Sequence, residues 1–467
     1  VLDDLVIADG CNLSVPPNCV VKFSADTSLE ILGTIETSNL SASRSYFTSL
    51  NNDVYGLRVP GSNSHPAPGD WYQFRICCED CLIQNSNFSY GTFLKIDQCS
   101  PTVINNTISD FYQYGLYIYA ESQPARPEIS RNVIQDCGHV VDAASGIYEG
   151  GGICLETGRD YLGPCEPTLQ DNRLLSNNGY PLTRAVAIGG TIRGKGATWD
   201  DVTGYHYPYV VIDPVVVAGG YRANGLSTAI VSSNPVDGVM DTLVDETADW
   251  KENVLTGSIL TPNTDRPETF EIVSNTRTSI VVDSDMSGIA NSGDPYEFVV
   301  KDTVVEVPLG TIVKFAKGMS IYVKGQLELN GTTRDRVYFT SFNDDSVGGS
   351  VLLSGSTPMP QPGDWEYFKV ENDNNKIEEC VFKYGTSIYI DSCSPLIQHN
   401  AIAMFSRAGI HCYAHSAKAS PSRSKRRILG CNVLSAKVTL VFAGLMGGPS
   451  LRAPRGYPGG RRSPAWP

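Results

Sequence analysis

Short segments in which apolar and polar residues alternate recur along the chain, separated by turn residues, and they predict many short strands. One pattern, Pro-x-apolar-x-x-Asn-x-apolar, occurs at 101–108, 127–134, 167–174 and 395–402. Residues two apart on a strand face the same side. We interpret each occurrence as one rung of a coil of stacked parallel strands, because such a rung buries its apolar face only against its neighbours.

The asparagine of this pattern has the same place in every rung. The four residues are Asn106, Asn132, Asn172 and Asn400. Asn tolerates the left-handed backbone conformation that a sharp turn requires. We therefore expect that conformation at these four positions, and a buried stack of asparagine side chains along the coil.

A longer repeat relates two parts of the chain, which we call copy one and copy two. The matching segments are 15–23 with 307–315, 46–49 with 338–341, 68–71 with 362–365 and 90–101 with 384–395. Residues 1–10 match 211–220 at an offset of 210, whereas 15–23 match at an offset of 292. The difference of 82 residues marks an insertion within copy two.

These offsets divide the chain into four parts. Residues 1–220 hold copy one and the start of copy two, 221–306 the insertion, 307–420 the rest of copy two, and 421–467 a tail. Short strand patterns between Asn, Asp and Gly turns predict a small all-β module for the insertion. The rung register fails after Pro421, where the chain becomes basic, so we expect a disordered or non-native tail, or else a basic anchor for an anionic surface.

Charge and composition narrow the classes of partner. The 467 residues are 41% hydrophobic and 18% charged, with a formal net charge of −14. Because 27 basic and 50 acidic residues precede Pro421, the main body repels phosphate backbones, and nucleic-acid binding is not expected. No run of 18 apolar residues and no leader occurs, so we expect neither a membrane span nor a signal peptide. Val1 aligns inside a repeat unit, which predicts that the sequence belongs to a longer repetitive chain.

The order of these motifs resembles that of bacterial right-handed parallel β-helix repeat proteins, the pectin-lyase-like superfamily. The resemblance rests on Val-Pro, Val-Lys-Phe, Phe-Thr-Ser, Pro-Gly-Asp-Trp and Tyr-Gly in that order, followed by the Pro/Asn rungs, and it covers residues 1 to about 220 and 304 to about 420. It implies an all-β right-handed parallel β-helix (solenoid) in two related copies, in an extracellular or cell-surface setting. The same fold hosts lyases, hydrolases, adhesins and inert stalks.

The third rung is unusually long and is the candidate catalytic region. It runs for 40 residues from Pro127 to Pro167, against 26 from Pro101 to Pro127, and loops on a rigid scaffold often carry sites. Lyases of the resembled superfamily use a carboxylate-held Ca²⁺ with an Arg or Lys base, whereas inverting hydrolases use paired carboxylates. The candidate catalytic residues are Glu149, Glu156, Arg159 and Asp160. An ordinary solvated loop explains the same residues.

Two pairs of aromatic residues are candidates for binding carbohydrate. Tyr117 and Tyr119 alternate with inward apolar residues, and His411 and Tyr413 have the matching places in copy two. All four are predicted to face outward. If they stack on adjacent rungs they form an aromatic platform suited to sugar rings. Side chains that merely cover the sheet are the alternative.

Repeated acidic residues are the candidate metal ligands. Asp53 and Asp345 lie in polar loops at equivalent places of the two copies, and carboxylates are the ligands that Ca²⁺ prefers. Turn capping is the competing role for both. Their repetition argues against catalysis, because an enzyme seldom needs the same site twice.

A single Cys-x-x-Cys motif, at Cys78 and Cys81, leaves three interpretations open. It can be a metal or redox site, a local disulfide, or a pair of unlinked thiols. Copy two has no cysteines at the equivalent positions and no second Cys-x-x-Cys follows. A four-ligand zinc site therefore has little support.

These observations favour a secreted or surface-attached β-helix scaffold that binds carbohydrate or another surface without catalysis. The rival is a polysaccharide lyase or glycoside hydrolase that acts on an acidic polysaccharide at the long third rung. A purely structural spacer is the third interpretation. The expected partner is a polysaccharide or cell-surface glycan, and Ca²⁺ is the one candidate cofactor.

Overall fold

Short parallel strands stacked in four sheets make up the body of the chain. A computed structural model describes residues 1–37, 43–121, 123–139, 150–157, 165, 167–176, 184–193, 197–199, 207–232, 240–250, 255–351, 359–414, 428–429, 432–434 and 438–442. Every structural statement below refers to these ranges. Within them, no helix is long and apolar enough to cross a membrane.

Copy one winds through successive rungs. Its strands, with the first strand of copy two at the end, are β1 (Leu5–Ile7), β2 (Asn12–Val15), β3 (Val20–Phe23), β4 (Leu29–Ile31), β5 (Thr34–Thr37), β6 (Ser45–Ser49), β7 (Trp71–Ile76), β8 (Leu82–Gln84), β9 (Ser86–Ser89), β10 (Gly91–Asp97), β11 (Thr102–Ile104), β12 (Thr107–Ser109), β13 (Tyr114–Ala120), β14 (Glu128–Ser130), β15 (Val133–Gln135), β16 (Gly151–Thr157), β17 (Thr168–Gln170), β18 (Arg173–Leu175), β19 (Val186–Ile192), β20 (Ala197–Thr198) and β21 (Tyr209–Val217). In copy one, sheet one contains β1, β4, β7, β10, β13 and β16. Sheet two contains β2, β5, β8, β11, β14 and β17, and sheet three contains β3, β6, β9, β12, β15 and β18. Neighbouring strands within each sheet are parallel.

The insertion is a separate antiparallel sheet. Its strands are β22 (Tyr221–Leu226), β23 (Ala229–Ser232), β24 (Asp241–Val244), β25 (Ile259–Thr261), β26 (Phe270–Asn275), β27 (Ser279–Val282) and β28 (Pro295–Val300). They form one seven-stranded sheet in the order β22-β28-β25-β26-β27-β24-β23, with a core of its own that includes Leu260, Ile272 and Phe298. The module therefore ends at Val300, a few residues before the boundary of 306 that the sequence predicted.

The coil resumes after the insertion. The strands are β29 (Val304–Val307), β30 (Ile312–Phe315), β31 (Ile321–Val323), β32 (Gln326–Leu329), β33 (Val337–Ser341), β34 (Trp365–Val370), β35 (Lys376–Glu378), β36 (Cys380–Lys383), β37 (Gly385–Asp391), β38 (Leu396–Gln398), β39 (Ala401–Ala403), β40 (Ile410–Ala414), β41 (Ile428–Leu429), β42 (Asn432–Leu434) and β43 (Val438–Phe442). The last three pair in parallel with β38, β39 and β40. Parallel pairing thus continues beyond Pro421 in these three strands. Most of residues 421–467 lie outside the described residues, so the predicted disordered or non-native tail stays a prediction.

One long strand, β21, joins the two copies. Its residues 209–211 pair with β30, whereas its residues 215–217 pair with β31. Upstream, β19 pairs with both parts of β21, and β16 pairs with the first part of β19. Residues 186–188 of β19 therefore lead to β30, whereas residues 190–192 lead to β31.

Equivalent aromatic residues fill the core in both copies. Phe23 and Trp71 stack with ring centroids 4.5 Å apart, and Phe315 and Trp365 do the same at 4.4 Å. All four side chains are fully buried. A Cβ on Gly91 would lie 2.8 Å from the Trp71 ring, so the glycine of the Tyr-Gly motif leaves room for the indole.

The asparagine stack forms as predicted, but the turn conformation does not lie where the sequence placed it. Asn106 Nδ2 donates to Asn132 Oδ1 at 3.1 Å, and Asn132 Nδ2 donates to Asn172 Oδ1 at 3.0 Å. The positive φ angles belong to the residue before each ladder asparagine: Asn105 (56°), Arg131 (55°), Asp171 (54°) and His399 (55°). The left-handed residue makes the corner, and the residue after it turns its side chain into the coil.

We expect Asn132→Ala to lower the free energy of unfolding by about 2 kcal/mol, because it leaves buried backbone groups without partners. The Asn132 side chain accepts from Asn106 N at 2.9 Å and donates to Val103 O at 2.9 Å. Urea unfolding measures the change. Asn374→Ala, in an exposed turn, is the matched control and should unfold like the wild type. Equal urea midpoints for both variants would show that the ladder adds no stability.

Candidate functional site

The outer face of β13 carries the first predicted aromatic pair. Leu116 and Ile118 are fully buried on the inner face, and the half-buried Tyr117 and Tyr119 alternate with them on the outer face. The orientation that the alternation predicts is therefore present. Whether these rings bind carbohydrate stays a prediction.

A network of charges lies beside these tyrosines. Asp97 on β10 is paired with Lys95 at 3.0 Å and with Arg75 at 2.6 Å. The Lys95 ammonium lies 4.7 Å from the ring centre of Tyr119 and 5.5 Å from that of Tyr117, close enough for a cation–π interaction. The Lys95 ammonium therefore lies over one face of the Tyr117 ring and over one face of the Tyr119 ring.

Tyr117 also binds the one predicted catalytic residue that the structure places. Its hydroxyl donates to Glu156 Oε2 at 2.8 Å. Burial, and then the Glu156 charge, raise the pKa of Tyr117 well above its usual value, so this phenol is neutral at physiological pH. Glu149, Arg159 and Asp160 lie outside the described residues, so the catalytic role of the four residues stays a prediction.

The residues paired with Tyr117 in its own row are of mixed type. Across neighbouring rungs, Tyr117 is paired with Lys95 on β10 and with Cys154 on β16. Tyr117 itself packs against a buried apolar cluster that includes Tyr114, Cys154 and Ala187. The Phe93 ring on the neighbouring rung lies 5.6 Å from the Tyr117 ring, which is 5.6 Å from the Tyr114 ring and 6.1 Å from the Tyr119 ring. Tyr117 therefore belongs to an aromatic cluster, and sugar binding by it stays a prediction.

Copy two carries a second set of rings, which we call the copy-two aromatic face. It consists of Tyr367, Tyr389, His411 and Tyr413. Tyr389 is at its centre, with ring centroids 4.9 Å from His411, 6.1 Å from Tyr367 and 6.4 Å from Tyr413. All four residues are half-buried, so the sheet restrains each ring, and the Nε2 atom of His411 is itself buried.

An ion-pair cluster borders this face. Lys369 Nζ is 2.6 Å from Glu371 and 2.9 Å from Asp391, and it lies 5.7 Å from the Tyr389 ring centre. Burial lowers the pKa of Lys369, but hydrogen bonds to the two carboxylates outweigh it and raise that pKa overall. Burial also raises the pKa of Tyr389. The face thus presents aromatic rings beside a fixed cation and two carboxylates.

The two predicted aromatic pairs do not share one row. The Tyr117 row passes through Cys154 and Ala187 to Val210, in the part of β21 that pairs with β30. His411, by contrast, is paired with Tyr389 in the row that reaches β31. The split at β21 therefore separates the pairs into two surfaces.

Sequence reasoning missed Tyr389, Lys369 and Asp391. The signal was present: the offset of 294 that matches 90–101 with 384–395 also matches Asp97 with Asp391. Carried back to β7, the same offset matches Arg75 with Lys369. A row-by-row alignment of the rungs would have found these residues.

The loops with the predicted calcium ligands are held by the protein's own groups. Asp53 accepts hydrogen bonds from Ser62 at 2.9 Å and Ser64 at 2.5 Å, and Lys22 and Arg58 lie 3.8 and 3.6 Å from its carboxylate. The Ser64 hydrogen bond lowers the pKa of Asp53. Among the described residues, no group of three His, Cys, Asp or Glu is placed to hold a metal ion. Calcium binding stays a prediction.

The equivalent loop in copy two is built on a buried lysine. Lys314 is fully buried, and its ammonium donates to Asp344 O at 2.8 Å and to Gly349 O at 2.5 Å. The predicted ligand Asp345 is exposed, whereas Asp344 is buried and accepts from Thr340 at 2.6 Å. The hydrogen bonds from the Lys314 ammonium to the backbone carbonyls of Asp344 and Gly349 thus hold this loop together.

Burial lowers the pKa of Lys314 from 10.5 to about 8, which makes the stability of this loop depend on pH. Between these values the unfolded chain binds the proton that the folded chain has lost, so this lysine's contribution to stability rises with pH. We expect the wild type to gain stability relative to Lys314→Met as the pH rises from 8 to 10.5.

Urea unfolding of both proteins across that range measures the gain. Cysteines and tyrosines also titrate in this pH range and oppose the gain. Because the wild type and Lys314→Met contain the same cysteines and tyrosines, the difference between the two proteins cancels this effect. Lys317→Met, which removes an exposed lysine, is the matched control for the loss of one charge. A constant difference between wild type and Lys314→Met at all pH values would contradict the expectation.

The Cys-x-x-Cys motif forms a disulfide between Cys78 and Cys81. This settles the choice between the three interpretations in favour of the local disulfide. The other described cysteines are unlinked, and several of them are buried. Burial raises the pKa of Cys99, Cys137 and Cys380, so these thiols are poor nucleophiles.

Comparison with known proteins agrees with the architecture. Residues 3–188 match the family model described as "Right handed beta helix region". The matched range begins before β1 and ends within β19. No curated protein and no solved structure matches the chain.

Proposed function

The chain contains a right-handed parallel β-helix region, and from this premise we propose that it is an extracellular or cell-surface scaffold. Its copy-two aromatic face binds carbohydrate, without catalysis. The observation that carries the proposal is the set of rings around Tyr389, which are 4.9 to 6.4 Å apart. A polysaccharide or a surface glycan is the partner.

The spacing and fixation of the rings support this function. Strands in a sheet are about 4.8 Å apart, so rings on successive rungs can contact one extended chain of sugars. Aromatic rings offer large apolar faces to the C–H side of a sugar. Because the sheet already restrains the half-buried side chains, little conformational entropy is lost on binding.

The ion-pair cluster gives the face its polar component. Ligand sites combine apolar walls with a few placed polar groups that fix orientation. Lys369 can donate to sugar hydroxyls, while Glu371 and Asp391 can accept from them. Since these charges already neutralise one another in part, a neutral or weakly charged glycan suits the face better than a strongly anionic one.

The state of the cysteines supports an oxidising location. A local disulfide between Cys78 and Cys81 is stable outside the cell and uncommon in the cytosol. The buried thiols, with their raised pKa values, resist oxidation because little thiolate forms. The buried cysteines can therefore persist there without forming disulfides, whereas the exposed Cys11 lacks this protection.

The rival function, a polysaccharide lyase or glycoside hydrolase, has one observation in its favour. Glu156 on the long third rung is held by a neutral phenol donor, Tyr117, at 2.8 Å. General acid–base cleavage needs a second positioned group within reach of the same bond. The other predicted catalytic residues lie outside the described residues, so this function has only Glu156 to support it, whereas the binding function has a set of described rings.

We expect the full chain to be retained on at least one polysaccharide in affinity electrophoresis across a panel of soluble and insoluble glycans. Tyr389→Ala should weaken retention about tenfold, because it removes the central ring of the face. Tyr338→Ala is the matched control: it removes a half-buried tyrosine of the same copy on a different row and should retain the glycan as the wild type does.

Product formation is followed in the same samples through reducing ends and unsaturated uronate absorbance, with and without Ca²⁺. Release of product would contradict the non-catalytic function, and loss of that release in Glu156→Gln would assign the activity to the long rung. No retention on any glycan would leave only the structural spacer.

A further inference from the structure

A cavity of about 270 Å³ lies where the inserted module joins the coil. The chain leaves the coil through Ala218 to Gly220 and returns through 301–303, and these two connections are fastened together. Gly220 N donates to Asp302 Oδ1 at 2.7 Å, and Thr303 N donates to Ala218 O at 3.1 Å. The cavity is therefore bounded by a fixed neck, by the end of β19 and by the turn before β25.

The walls of the cavity combine an aromatic ring with two cations. Arg193, directly after β19, and Lys301 supply the positive charges, and Tyr221 at the start of β22 supplies the ring. The Arg193 Nε atom is buried and, within the described part of the chain, has no hydrogen-bond partner. A buried donor without a partner is costly, so a ligand acceptor at this place would relieve a real deficit.

The two carboxylates that line the cavity, Asp302 and Glu271, do not accept a hydrogen bond from Arg193 Nε. Both oxygens of Asp302 are already engaged: Oδ1 accepts from Gly220 N, and Oδ2 accepts from Asn372 Nδ2 at 2.8 Å. Glu271 is exposed. Burial raises the pKa of Tyr221, and the positive charge of the Arg193 guanidinium partly offsets this rise.

We propose that this junction cavity binds a small ring-bearing monocarboxylate, whose carboxylate meets Arg193 and whose ring packs against Tyr221. Guanidinium and carboxylate form paired, charge-assisted hydrogen bonds, and an aromatic wall favours a flat apolar face. The volume, about 270 Å³, is slightly below the usual range for ligand sites and fits a single ring. This site is separate from the copy-two aromatic face, and the inference does not depend on the proposed function.

Ligand-observed NMR on the full chain tests the inference. Galacturonate and benzoate are the probes, and galactose and benzyl alcohol are their uncharged counterparts. We expect one of the two acids to bind and its uncharged counterpart not to bind. The acid that binds tells whether the ring is a sugar or an aromatic one.

Arg193→Met should weaken binding of that acid at least tenfold, because it removes the cation and keeps the length of the side chain. Arg222→Met, which removes an exposed arginine of the same module outside the cavity, should bind like the wild type. If Arg193→Met melts at a lower temperature, Tyr221→Leu, in an exposed position on β22, takes its place with the same expected loss. Binding of neither acid, or equal binding by the wild type and the cavity variants, would overturn the inference.

Discussion

Parallel hydrogen bonding between successive rungs is the interaction on which the rest of the structure depends. It places Leu29, Phe74, Leu94 and Leu116 at matching positions on four successive strands of sheet one, and all four are buried. No rung has a core of its own, since each one closes its apolar face only against its neighbours. Side chains can therefore vary freely only on the outer face, where the candidate sites lie.

The same constraint explains why the corners are polar and buried at once. A corner interrupts the sheet and exposes backbone groups to the interior, and these groups need partners. The ladder of Asn106, Asn132 and Asn172 supplies them from rung to rung. In copy two, Asn400 has the same role, accepting from Cys380 N at 2.8 Å. The coil is thus as regular in its polar contacts as in its core.

Duplication kept the core and changed the surface. Trp71 and Trp365 have nearly identical stacking partners, because a packed interior tolerates few changes in shape. On the outer face, Lys95 in copy one corresponds to Tyr389 in copy two. That difference turns a charged row into an aromatic one. The insertion adds a third kind of surface, since its neck brings Arg193 of the coil beside Tyr221 of the module.

The sequence by itself determined the rungs, the duplicated core, the insertion and the outward orientation of Tyr117 and Tyr119, because alternation and repetition are properties of the chain read in order. It placed the left-handed turn one residue late, since Arg131 has no visible turn preference. The tertiary structure alone decided which outward residues meet. Rungs differ in length, and β21 divides its pairing between two strands, so neighbours such as Tyr389 and His411 follow from three-dimensional register and not from spacing along the chain.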